Sequence, residues 1–285
     1  MTRLRLATRA STLALAQTRW VAERLQSAHP ELEVELVEIT TTGDTDRTSP
    51  VTTLSEVGAF VRAVQIAVLD GVADAAVHSC KDLPVAGPVE LGCVFPEREA
   101  PWDVLCGAVL DELPPGARVG TGSPRRTAQL AVLRPDLAID GIRGNVETRL
   151  GKVASGEYDA VVLAEAGLRR IGLDQHIRTR FSVTDMVPAP AQGALAVEAP
   201  HNSEAMMLLA ALDHPATRVA VEAERSLLAR TGAGCRAALG ALAVVTEDGV
   251  EMHGFVEDED GWRRAAIQHT DGHAASLALQ KELSL

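Results

Sequence analysis

120-GTGSPRRTAQL-130 joins a strand to a helix through a glycine turn, and its reading decides the fold class. Residues 118–120 are expected to form a short strand and residues 124–133 a helix. Ser123 can cap that helix, and Pro124 suits its first position, where no backbone N–H is needed. Strand, glycine turn and helix N-terminus in that order make the unit of an α/β sheet, whose ligands lie beyond the carboxyl ends of the strands. Arg125 and Arg126, in the first turn, oppose the helix macrodipole at a cost of order 0.3–1 kcal/mol each. An anion held between the free N–H groups and the guanidiniums would offset that cost. An ordinary capped helix explains the serine and the proline but leaves the arginines unexplained.

The same architecture returns at 141-GIRGNVETRL-150, where Asn145 can cap a second helix, Arg143 precedes it and Arg149 lies one turn in. Four arginines at two glycine-rich helix starts suggest a pocket for several carboxylates. The planar guanidinium donates two parallel hydrogen bonds to a carboxylate and keeps its charge when partly buried. One charge-assisted bond contributes about 1.5–3 kcal/mol, so four would dominate the binding of a ligand. Solvated arginines on helix faces are the plainer alternative.

Outward from these turns, strands and helices alternate. Strands are expected near 4–7, 33–39, 74–77, 104–109, 138–142, 160–163 and 193–198, with helices near 11–28, 59–69 and 146–155. From about Pro215 the pattern changes to one long helix, three strands and a final helix, an α+β unit. The expected architecture is therefore two α/β domains with a cleft between them, followed by a smaller α+β domain. Between strand and helix, 40-TTTGDTDRTSPVTTLSEVG-58 lacks apolar periodicity and reads as a lid.

Bulk composition narrows the function. The chain of 285 residues carries formal charge -12, with 46% hydrophobic and only 3% aromatic residues. An acidic chain poor in aromatics has neither the basic face nor the stacking platforms of a nucleic-acid binder. No apolar run approaches the roughly 18 residues of a membrane span. Cys80, Cys93, Cys106 and Cys235 show neither metal-ligand spacing nor a dense disulfide pattern, which suits a reduced, cytoplasmic protein. No metal site is expected.

Two further segments carry chemistry. In 78-HSCKDLP-84, at a strand's end, Lys81 and Asp82 are adjacent and cannot share one face of an extended segment. Asp82 reads either as half of a surface ion pair or as a carboxylate that stabilises a developing cation. His78 reads as a structural hydrogen-bonding residue. Cys235, in 232-GAGC-235, reads as a small buried thiol or as a nucleophile made accessible by its glycines.

Taken together, eight segments in order resemble the hydroxymethylbilane synthase (porphobilinogen deaminase) family. They are 7-ATRASTLALAQ-17, 74-DAAVHSCKDLP-84, 120-GTGSPRRTAQL-130, 143-RGNVETRL-150, 163-LAEAGLRRIG-172, 188-PAPAQGALAVE-198, 222-EAERSLL-228 and 232-GAGC-235. The resemblance implies two periplasmic-binding-protein-like α/β domains around a cleft and a smaller α+β domain: residues 1–98 with 191–214, then 99–190, then 215–285. It implies a dipyrromethane cofactor held covalently by a thioether on Cys235. Four porphobilinogen molecules join that primer with loss of ammonia, and water then releases the linear tetrapyrrole. Asp82 takes the catalytic role, steadying cationic intermediates beside the pyrrole N–H groups. By the same carry-over Arg9, Ser11, Phe60, Lys81, Thr121, Ser123, Arg125, Arg126, Arg143, Arg149, Arg170 and Gln192 are cofactor- or substrate-binding positions. A monomer acting on a small molecule, with no nucleic-acid or membrane partner, is implied.

The chain departs from the family pattern at several places. Val57 stands where many members have lysine, Thr42 at a frequent arginine, Gly122 at a frequent serine and Ala191 at a frequent glycine; 236-RAA-238 lacks the usual proline. None removes Asp82 or Cys235. The rival expectation is a non-catalytic clamshell that senses anions with the same arginines, needing neither Asp82 nor an accessible Cys235.

Overall fold

In the computed structural model the described residues are 2–39, 55–231 and 238–285, with residues 55–60 described by their backbone alone. Phe60 and Val57 therefore lack a described side chain, and Cys235, Thr42 and the expected lid through residue 54 lie outside the described residues. In chain order the first elements are β1 (Arg3–Arg9), α1 (Thr12–Ala28), β2 (Glu33–Ile39), α2 (Ser55–Leu69), β3 (Ala75–Ser79) and β4 (Leu91–Val94). Next come β5 (Asp103–Cys106), β6 (Arg118–Gly120), α3 (Pro124–Leu133), β7 (Ala138–Asp140), α4 (Val146–Ala154), β8 (Ala160–Ala164), α5 (Glu165–Arg170) and β9 (Ile177–Arg180). The rest are β10 (Leu195–Pro200), α6 (Glu204–Leu209), α7 (Pro215–Arg230), β11 (Ala238–Thr246), β12 (Gly249–Asp258), β13 (Gly261–His269) and α8 (Gly272–Glu282).

The chain forms two compact units, residues 1–98 with 194–218 and residues 99–193 with 219–285. In the first, five strands run in the order β2-β1-β3-β10-β4. β1 pairs in parallel with β2 and β3, while β10 runs antiparallel to β3 and β4. Leu4, Leu6, Ala75, Val77, Leu195 and Val197 meet Val21 and Leu25 of α1 in one core. Ser11 starts α1 by accepting the Ala14 N–H at 3.3 Å, as its position before an apolar-periodic run predicts.

The second unit repeats the plan with the order β7-β6-β8-β5-β9. Here β6, β7 and β8 are parallel and β5 is antiparallel to β8. In both sheets the antiparallel strand begins at the edge where the parallel strands end: Leu195 lies opposite Ser79, and Asp103 opposite Ala164. That register brings residues on two kinds of strand to one edge, and it decides where the chemistry collects.

The same unit holds the antiparallel sheet β11-β12-β13, whose Met252 and Val256 pack with Leu227 of α7, with Leu279 of α8 and with Leu283 just after it. It meets residues 185–191 closely. A Cβ on Gly240 would lie 2.7 Å from the Val187 carbonyl oxygen, and the Ala241 N–H donates to the Pro188 carbonyl at 2.9 Å. Glu224 of α7, fully buried, accepts the N–H groups of Ala191 (2.5 Å) and Ala243 (2.8 Å).

Most expected elements are present. β4, β9, α5 and α6 were not anticipated; each has only four to six residues, and β9 reads Ile-Arg-Thr-Arg, with no apolar face long enough to show a period. Lys81 and Asp82 are not extended, as assumed, but sit in a single 3₁₀ turn, Cys80–Asp82. Ser123 occupies the N-cap position of α3 without a side-chain capping bond; its N–H donates instead to Thr121 Oγ1 at 3.2 Å. Asn145 caps α4 as expected, its Oδ1 accepting the Thr148 N–H at 2.8 Å.

Candidate functional site

In the first unit the predicted residues gather at the carboxyl edge of β1 and β3. Arg9 closes β1, Ser11 caps α1, and Lys81 and Asp82 follow β3. The turn that carries Asp82 is braced from both sides. The Cys80 N–H donates to the Ala194 carbonyl at 3.0 Å, and Ser79 Oγ exchanges hydrogen bonds with the buried amide of Gln17 at 2.8 and 3.2 Å. Asp82 itself is half-buried, and among the described residues no hydrogen bond or ion pair engages its carboxylate. An unspent carboxylate on a braced turn is available to a cation or to N–H donors. His78, two residues before Cys80, is turned inward: its Nε2 lies 3.1 Å from Glu198 Oε2, both side chains being buried. His78 is thus an inward-facing, buried residue.

In the second unit the edge is formed by the ends of β6, β7 and β8. Thr121 is buried, its N–H donating to the Asp140 carbonyl at 2.9 Å. At the next turn Gly144 has φ +111, and a Cβ there would lie 2.6 Å from the Thr148 side chain, so only glycine fits. Arg149 folds back over this turn, its Nε donating to the Gly144 carbonyl at 2.8 Å. Among the described residues no ion pair joins Arg149 or Arg143 to a carboxylate. Burial, and next the positive charge of Arg126, push the Arg149 pKa below its ordinary value. An anion placed there would relieve both effects. Arg143 is exposed.

Arg125 and Arg126 are turned into the protein, 3% and 6% exposed. The carboxylate of Asp103, which has no exposed surface, lies between them. Arg125 Nη1 donates to Asp103 Oδ2 and to the Val187 carbonyl, both at 2.7 Å. Arg126 Nε donates to Asp103 Oδ1 at 2.8 Å and its Nη1 to the Val162 carbonyl at 2.9 Å. Gln192, also fully buried, donates its amide to the Pro101 carbonyl at 2.7 Å and to Asp103 Oδ1 at 3.0 Å. Burial raises the Asp103 pKa, but the two guanidiniums outweigh it and hold the carboxyl well below the usual range. The cations that seemed to need an anion at the start of α3 thus have one within the fold. Sequence reading missed Asp103; its signal was a single acidic residue opening the apolar strand 103-DVLC-106.

Arg170, at the end of α5, donates to the Gly193 carbonyl at 2.6 Å, and burial lowers its pKa to about 10 despite nearby Glu99. Gly193 has φ +87, and a Cβ there would approach the Glu99 carbonyl oxygen to 2.3 Å. Ala191 also holds a left-handed conformation, φ 62, which accounts for the glycine found there in the family it resembles. A separate cavity of about 840 Å³ beside α7 is lined by Glu222, Glu247, Asp248 and Asp271. Four carboxylates would repel a polyanion, so that cavity does not suit a carboxylate-rich ligand.

The donor set of the second unit suits an anionic ligand. Residues 4–208 match the profile described as "Porphobilinogen deaminase, dipyromethane cofactor binding domain", and residues 218–284 that described as "Porphobilinogen deaminase, C-terminal domain". Proteins named porphobilinogen deaminase from Acidothermus cellulolyticus and Thermobifida fusca are both 49% identical to this chain. The alignments cover 96% and 98% of it and 86% and 91% of those proteins, respectively. The protein of that name from Roseiflexus castenholzii is 46% identical, over 90% of this chain and 87% of that protein.

Proposed function

The chain belongs to the porphobilinogen deaminase family, and on that premise we propose which of its residues carry the reaction. It is a transferase of tetrapyrrole synthesis that condenses four porphobilinogen molecules head to tail, releasing ammonia and then, by hydrolysis, hydroxymethylbilane. The dipyrromethane cofactor supplies the pyrrole end to which each unit is joined. The family match across both parts of the chain carries this conclusion; it disfavours the non-catalytic anion sensor.

Asp82 acts as the catalytic carboxylate. Its half-buried, unengaged side chain on a braced turn supports this, because a fixed carboxylate stabilises positive charge developing on a pyrrole far better than mobile water does. Cys235 is the attachment point of the cofactor. The motif 232-GAGC-235, in a chain whose residues 4–208 and 218–284 both match the family, supports this. Arg149 and Arg143 bind the carboxylates, with Thr121, Ser123 and Arg170 completing the polar lining; Arg125, Arg126 and Gln192 form its floor. Arg9, Ser11, Phe60 and Lys81 are ligand-binding positions of the first unit. The domain division at 1–98 with 191–214, 99–190 and 215–285 belongs to this reading. So does a monomer located in the cytoplasm, without nucleic-acid or membrane partners. Formal charge -12 supports the lack of a nucleic-acid partner; among the described residues no helix is long and apolar enough to cross a membrane.

Two substitutions test the assignment. Asp82→Asn should retain covalent pigment but lose turnover by about 10²-fold or more, the scale of removing one preorganised electrostatic partner. Cys235→Ser should yield protein whose intact mass shows no addition. Near-normal turnover in the first, or pigment on the second, would remove the corresponding role.

A further inference from the structure

The buried contacts at the start of α3 carry an assignment beyond the family's reaction. We propose that Asp103 is a positioning residue for ligand binding: it locks the guanidiniums of Arg125 and Arg126 and the amide of Gln192 into one fixed array beneath the ligand. The inference rests on the reading that these three residues floor the binding site.

Geometry supports it. Asp103 opens β5, and the antiparallel register opposite Ala164 sets its side chain at the edge where β6 and β8 end. There it meets three donors from two separate segments: Arg125 and Arg126 of α3 at 2.7–2.8 Å and Gln192 of the 188–193 loop at 3.0 Å. Backbone carbonyls of Val162 and Val187 take further guanidinium protons. The carboxylate thus joins a helix start to the 188–193 loop.

Charge makes the same point. Two guanidiniums and one carboxylate leave the array with a single net positive charge. Without the carboxylate, two buried cations would repel each other at the positive end of a helix dipole, and neither would hold its place. Arg126 is also near enough to Arg149 for its charge to disfavour the Arg149 cation. The position of Arg126 therefore tunes the arginine that meets the ligand, and Asp103 fixes that position.

The test uses pigment-carrying enzyme, with kcat and KM for porphobilinogen expressed per pigmented chain and Arg149→Lys as a reference for the site. Asp103→Asn is expected to raise KM at least about tenfold, the equivalent of 1.4 kcal/mol. A merely structural carboxylate would lower the yield or the melting temperature and leave KM per pigmented chain where it was; that result overturns the proposal. Asp103→Glu keeps the charge, and so the fold, but moves the carboxylate by one methylene. It should raise KM several-fold, about threefold or more, and an unchanged KM in this variant also overturns the proposal. If Arg149→Lys alone raises KM, Asp103 has no positioning role while the site reading stands. If no variant moves KM, the site reading itself fails, and the proposal with it.

Discussion

Asp103 loses all its contact with water on folding, a change that by itself favours the protonated carboxyl; Arg125 and Arg126 reverse the balance. Its pKa is therefore lower in the folded chain than the unfolded value of about 3.9. The stabilisation it brings is complete above about pH 4 and is lost as pH falls toward the folded value. Removing one partner of such a buried pair costs about 3–5 kcal/mol. Asp103→Asn should accordingly be less stable at neutral pH and should flatten the acid limb. Between about pH 4 and 2, unfolding free energy from urea titrations should fall less steeply than in the parent, by up to about 1.4 kcal/mol per pH unit. Parallel acid limbs would show that the carboxylate is not held as described. Cys106 lies at the opposite extreme, buried without a compensating charge near enough to outweigh desolvation, so its thiol is pushed up to about 12 and is no nucleophile at neutral pH.

At the scale of elements, the helix starts were the most legible features. Ser11 and Asn145 cap as their positions before apolar-periodic runs require, and Pro124 begins α3. What could not be read was which groups satisfy the arginines. Arg125 and Asp103 are 22 residues apart, and only the antiparallel register of β5 brings them together. Local spacing holds no trace of that pairing. The short strands β4 and β9 escaped for a related reason, since pairing partners rather than their own composition make them strands. The 188–193 loop offers a test at this scale. Ala191 sits at φ 62, a conformation that costs a side chain about 1–2 kcal/mol, while glycine gives back about 0.5–1 kcal/mol in unfolded-state entropy. Ala191→Gly should therefore stabilise the chain by about 0.5–1 kcal/mol, seen as a higher urea midpoint at unchanged slope. A lower midpoint would show that Ala191 is not strained.

In the whole molecule, Glu224 holds the second unit together. It bonds both a backbone N–H of the 188–193 loop and one of β11, so it ties residues 219–285 to residues 99–193. Each buried N–H left without a partner costs about 1–3 kcal/mol. Glu224→Ala should destabilise the chain by about 2–5 kcal/mol, and hydrogen exchange at Ala191 and Ala243 should rise together. Protection that persists at both amides would show that other contacts suffice. The strand order of the first sheet has a consequence for synthesis. β10 fills the slot between β3 and β4. Until residues 195–200 leave the ribosome, the nascent chain holds β4 with no strand beside it, whereas every strand of the order β7-β6-β8-β5-β9 has been made by residue 180. Of the two five-stranded sheets, the one begun first is thus the last to have all its strands.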